Sequence, residues 1–228
     1  MMLIARLFPK TNIDNLWDYV EEKIEKEALG LVTPLYASQT EGTMEISIIF
    51  RVNHPDNIAH FLTDCVPDCD EIYNTKTVTL MKPVFFPIPK KKPETARRYI
   101  IHINTQPRYY KDIYNSLVDY DYPTNIFPIF LSHSLGDEDI IINLAADSEE
   151  AARDFVRKFI QPMNGIESVV IRPVIKSKRF VPLSKLVEHQ KKYLIKNAEK
   201  ICDEDIDLEF DWTFDEYARL TGAFKREL

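Results

Sequence analysis

Apolar positions along this chain switch between two spacings, in the same order twice over. Leu3 to Phe8 is a short apolar run of strand type. Behind it Ile13, Leu16, Trp17, Val20 and Ile24 recur at three- and four-residue steps, a helical stripe with Glu21, Glu22 and Lys23 on the wet side. Thr11 or Asn12 offers that helix an N-cap, and Gly30 a stop. Val32 to Ser38 reads as strand, and Gln39 to Thr43 as a polar turn carrying Gly42. Ile46, Ile48, Phe50 and Val52 then alternate with Ser47, Ile49 and Arg51, the period-two pattern of a half-buried strand. Asp56 is placed to cap a second helix with Ile58, Phe61 and Leu62 on its apolar side. Ile72 to Met81, rich in β-branched residues, closes a β-α-β-β-α-β unit.

The pattern then restarts. Tyr99 to Asn104 predicts a strand, and Tyr110, Ile113, Tyr114 and Leu117 a helix stripe. Ile126 to Ser132 predicts the second strand, Gly136 its turn, and Ile140, Ile142 and Leu144 the third strand. Ser148 starts a helix with Ala152, Phe155, Val156 and Phe159 apolar; Gly165 ends it and Ile166 to Ile175 is the closing strand. A shift of 94 positions lays Pro34–Ile72 on Pro128–Ile166 without a gap. Pro34, Ser38, Gly42, Ile46, Ile48, Phe61 and Ile72 meet identical residues. A period this long is a domain duplication, not a solenoid.

Two such units predict an α+β fold of two ferredoxin-like modules, residues 1–81 and 98–181. Each module's helices cover one face of its four-stranded sheet. The other face carries apolar residues too, such as Ile49 and Ile141, so the two sheets should cover each other as an intrachain α+β barrel. Residues 82–97, with Pro83, Pro87, Pro89, Pro93 and Lys90-Lys91-Lys92, read as a stiff linker. Residues 182–228 read as a partly helical tail: a helix over 184–200, then an acidic stretch with Phe210, Trp212 and Phe214 interleaved.

The formal net charge of −7 argues against a broad grip on nucleic acid, which needs clustered cations. Lys90–Lys92 with Arg97 and Arg98 is the densest basic run, and the acidic whole favours a solubilising role for it. Cys65, Cys69 and Cys202 make no even disulfide framework. The start reads as no signal peptide, and no apolar run is long enough to span a membrane. A soluble cytoplasmic protein without direct membrane or nucleic-acid contact is the expectation.

The stretch Leu135-Gly136-Asp137-Glu138-Asp139-Ile140-Ile141-Ile142, followed by Ser148–Phe159 and Gly165-Ile166-Glu167-Ser168, resembles the effector-binding (RAM) domain of Lrp/AsnC-type regulators. Gly42-Thr43-Met44-Glu45 is a weaker copy, with Glu for Asp. The resemblance implies the β-α-β-β-α-β fold and an effector, usually an amino acid, near the glycine turn at a subunit interface. It matches Gly42, Glu45, Gly136 and Asp139 to that place. Such regulators carry a helix-turn-helix ahead of this domain, whereas this chain opens on the sheet. The expectation is therefore a non-enzymatic small-molecule sensor in transcription regulation that self-associates. One alternative is a small barrel enzyme, oxygenase-like or haem-dependent, working in the barrel interior. Another is a scaffold partner of a DNA-binding regulator.

The candidate ligand-binding residues are Gly42, Glu45, Ser132, His133, Gly136 and Asp139. Backbone N–H groups around a glycine turn can hold a carboxylate, and Asp139 could pair with an amino group. The plain alternative is a hairpin with solvated acids. His102, alternating with Ile101 and Ile103, could point into the barrel with His133 near it, as acid–base groups or haem ligands; a hydrogen-bonded sheet histidine is the simpler reading. Cys65 and Cys69 lack the second pair that a zinc site needs, and no G-x-G-x-x-G, P-loop or G-x-S-x-G occurs. No metal, cofactor or catalytic residue is assigned on these grounds.

Overall fold

The computed structural model describes residues 1–28, 31–67, 69–86, 96–188 and 190. The expected helix stop at Gly30, most of the linker and the tail beyond Gln190 lie outside the described residues.

The first half runs β1 (Met2–Pro9), α1 (Ile13–Glu22), α2 (Ile24–Glu27), β2 (Val32–Thr40), β3 (Ile46–Val52), α3 (Pro55–His60) and β4 (Ile72–Phe85). The second runs β5 (Arg97–Thr105), α4 (Tyr110–Val118), β6 (Ile126–Leu135), β7 (Ile140–Ala146), α5 (Glu149–Phe155) and β8 (Ile166–Arg179). α3 and α5 each continue into a π-helical turn, Phe61–Cys65 and Val156–Ile160. Asn12 caps α1 by accepting from the Asp14 N–H, and Ser148 caps α5 from the Ala151 N–H. The cap of α3 is His54, not Asp56: its ring nitrogen accepts from the Asp56 N–H and Pro55 takes the first helical turn.

The eight strands close into one antiparallel barrel in the order β1-β3-β2-β8-β5-β7-β6-β4. Within each half the order is that of a ferredoxin-like sheet. The halves join at both edges, β2 to β8 and β4 to β6. The expectation of two sheets facing each other is met in this closed form, which leaves neither sheet a free edge.

Three apolar layers follow from the strand period. Leu3, Ala5, Leu7, Ile46, Ile48 and Phe50 face α1 and α3. Ile101, Ile103, Leu131, Ile140, Ile142 and Leu144 face α4 and α5. Ile4, Val78, Leu80, Ile100, Phe127, Ile129 and Ile141 fill the barrel, joined at one end by Leu183 and Val187 of a helical segment at residues 183–188.

Candidate functional site

The barrel interior is apolar at its waist and charged at one mouth. On β5, His102 shares the inward face with Ile100, while Ile101 and Ile103 are sealed into the helix layer. On β1, Arg6 shares the inward face with Ile4. Ala5 pairs with Ile48 as Ile101 pairs with Ile142, so Arg6 holds in the first half the place that His102 holds in the second. The two side chains meet at one carboxylate.

Glu138 joins them. Its Oε1 lies 2.7 Å from His102 Nδ1, and its Oε2 accepts from Arg6 Nη2 at 2.6 Å. Glu138, His102 and Arg6 are only 11%, 12% and 7% exposed. Glu45 Oε1 and Asp137 Oδ2 stand 3.8 Å and 3.7 Å from the guanidinium, and Lys76 pairs with Asp137. Burial alone would raise the Glu138 pKa. Hydrogen bonds from His102 and Arg6, and then the positive charges of a protonated His102 and of Arg6, outweigh it and hold the carboxyl down at about 2. Glu138 is thus a fixed carboxylate at any ordinary pH.

The turn that presents Glu138 is tied on both sides. Asp139 Oδ2 accepts from the Thr105 N–H at 2.7 Å, the Asp139 carbonyl accepts from Tyr110 Oη at 2.7 Å, and Ser134 Oγ donates to the Glu138 carbonyl. Gly136 lets the turn close against Val78: a Cβ there would fall 2.8 Å from Val78 Cγ2.

The residues singled out in the sequence are therefore dispersed. Glu45 joins the Arg6 cluster. Asp139 and Gly136 shape the turn. Ser132 Oγ reaches the Met81 carbonyl at 2.8 Å, and Gly42 sits in the first-half turn with φ +75°. His133 is not beside His102. It faces α4, stacked on Tyr114 at 3.7 Å and beside Tyr110 at 4.5 Å between ring centroids. The acid that partners His102 was missed because it lies 36 positions away in another hairpin.

Chemically, a buried carboxylate on Nδ1 sets the neutral imidazole with its proton on Nδ1 and its lone pair on Nε2. Nε2 has no hydrogen bond among the described residues, so it can take a proton from a molecule at the mouth. The barrel interior does not suit a haem. The interior is filled by Ile4, Val78, Leu80, Phe127 and Ile141, and His133 has aromatic rings against it where iron would need access. Among the described residues no three His, Cys, Asp or Glu side chains are grouped to hold a metal ion. No helix among them is long and apolar enough to cross a membrane.

No family model and no curated protein matches this chain. Solved structures do. An anthrone oxidase-like protein is 8% identical with TM-score 0.47, over 80% of this chain and 94% of its own. A protein provisionally named a monooxygenase, from Fusobacterium nucleatum, is 11% identical with TM-score 0.49, over 78% of this chain and 94% of its own. Chlorite dismutase from Candidatus Nitrospira defluvii is 12% identical with TM-score 0.47, over 82% and 93%. AsnC of E. coli matches only 42% of this chain and 62% of its own, with TM-score 0.32 at 18% identity. What the structure shares with the resemblance to Lrp/AsnC regulators is the ferredoxin-like β-α-β-β-α-β unit. The expectation of a non-enzymatic amino-acid sensor is not upheld: the structures matched along most of this chain carry enzyme names, and the regulator is matched along less than half. Identities this low speak to the fold alone.

Proposed function

We propose that the chain is an enzyme, oxygenase-like in kind, that takes a proton from a small organic substrate at the charged mouth of its barrel. The observation that supports this reading is the contact of His102 Nδ1 with Glu138 Oε1 at 2.7 Å, anchored by Arg6 behind it and screened from water. Glu138 keeps the imidazole in one tautomer and balances the positive charge that forms when Nε2 accepts the proton. The fitting substrates are carbon or phenol acids whose anions react directly with dioxygen, anthrones among them.

The test is oxygen uptake over a panel of anthrones, hydroquinones and hydroxynaphthoquinones, with His102→Gln beside the wild type. A positioned base contributes on the order of 10²–10⁴-fold, so His102→Gln should lose at least about a hundredfold in kcat with its fold intact. Equal rates in the two proteins, or no turnover across the panel, would remove the reading.

A further inference from the structure

At the barrel end away from the Arg6–Glu138–His102 bridge, the duplicated halves diverge in charge. The 94-position shift, with the matched β1–β3 and β5–β7 registers, pairs Tyr36 with Phe130, Ile49 with Asn143, Phe85 with Arg179 and Met2 with Arg98. In one corner Phe85 and Phe130 stand opposite across β4 and β6, ring centroids 5.2 Å apart. In the symmetry-related corner Arg179 and Tyr36 stand opposite across β8 and β2, and Arg98 lies 5.4 Å from the Tyr36 ring centre. Where one half has Met, Ile and Phe, the other has Arg, Asn and Arg. These residues, Met2 excepted, border one shallow recess of about 30 Å³ beneath Leu183 and Leu186.

Among the described residues no carboxylate answers the charges in that recess. Arg98 donates to two neutral oxygens, Tyr36 Oη at 3.1 Å and Ser177 Oγ at 3.3 Å. The Arg179 guanidinium has no hydrogen bond or ion pair among the described residues. Burial first, and then the Arg98 charge, lowers its pKa. Asn143 is 5% exposed and its Oδ1 has no partner. Turning the amide over would aim its N–H group at the same space. Two guanidinium groups half-buried without a carboxylate are costly, and a bound anion would relieve them.

We propose that the Arg98–Arg179 corner of this recess binds the carboxylate group of a small organic acid, its head between the two guanidinium groups. The guanidinium fork matches a carboxylate in plane, and the opposite wall offers no polar group to a second charge. Arg98 and His102 are four residues apart on β5, roughly 13 Å at strand rise, so the site stands independently of the proton-transfer reading.

Calorimetric titration of the full chain with benzoate, cinnamate and hexanoate, against benzamide, benzylamine, inorganic phosphate and phenyl phosphate, tests it. Saturable binding of a carboxylate, with no binding of its amide or amine counterpart, is expected. Arg179→Met should weaken it roughly tenfold or more. The unliganded melting temperature should hold or rise in that variant, since a like-charge contact is removed. His102→Gln should leave the affinity unchanged. No saturable carboxylate binding, equal affinity in Arg179→Met, or preference for the phosphates over every carboxylate would overturn the proposal.

Discussion

His133 shows what burial does to a single titrating side chain. Its ring lies 6% exposed between Tyr110 and Tyr114, and burial, helped by the Lys82 charge, lowers its pKa to about 4. An unfolded histidine titrates near 6.5, so between those values the unfolded chain binds more protons than the folded one. Stability is therefore complete above about pH 6.5 and falls as pH drops to 4, by at most about 3 kcal/mol. His133→Phe keeps the ring stack and removes the proton. Its melting temperature should vary less between pH 7 and 4 than the wild type's; parallel curves would refute this. The sequence marked both His102 and His133 but could not say which face each took. A bulge between Pro128 and Phe130 resets the alternation in β6, so counting by twos from Ile126 fails there. A one-dimensional pattern also cannot bring Glu138 to His102, because that contact depends on β5 pairing with β7, which sets the β6–β7 turn beside His102.

At the scale of elements, hydrophobic spacing located every strand and the main helices. It worked best where one face is wet: β3 alternates buried and open positions from Ile46 to Val52 as its sequence does. It was least informative at β7, buried at all seven residues, because the barrel interior covers one face and the α4–α5 layer the other. The α3 cap shows a local rule the spacing missed. A residue before proline is held extended, as His54 is at φ −138°, and that is the cap conformation. Gly165, expected to end a helix, does more. Its φ is +88°, and a Cβ would stand 2.1 Å from Tyr109 Cδ2, while its carbonyl accepts from the Gln106 N–H at 2.8 Å. This close approach seats the start of β8 on the turn before α4. Gly165→Ala combines a disfavoured backbone with a clash and should cost about 1–3 kcal/mol by chemical denaturation. Gly136→Ala meets the Val78 side chain first, so its cost should shrink in a Val78→Ala background. Equal costs in both backgrounds would mean that Val78 is not the obstacle.

For the whole molecule, the duplication was legible and the closure only partly so. Apolar inward positions such as Ile49 and Ile141 showed that each sheet needed a second cover, but nothing in a single strand's pattern specifies its edge partner. In the barrel β2 joins β8 and β4 joins β6, so all strands of the described residues are paired on both sides. Self-association by sheet-edge pairing is thereby closed off, and any contact between copies must use other surfaces. The same closure determines how the protein should come apart. Separating the halves would expose two rows of backbone groups and the interior cluster built from Ile4, Val78, Ile100 and Ile141, which both halves share. Neither half can then be much more stable than the pair, despite its own helix-side core. Calorimetry should show one transition whose van't Hoff and calorimetric enthalpies agree. Glu138→Ala, which cuts the tie between Arg6 of the first half and His102 of the second, should lower that transition without splitting it, because the two edge ladders remain. Two resolved transitions in the wild type would mean that the halves fold as separate units and that the barrel is held by docking rather than by continuous pairing.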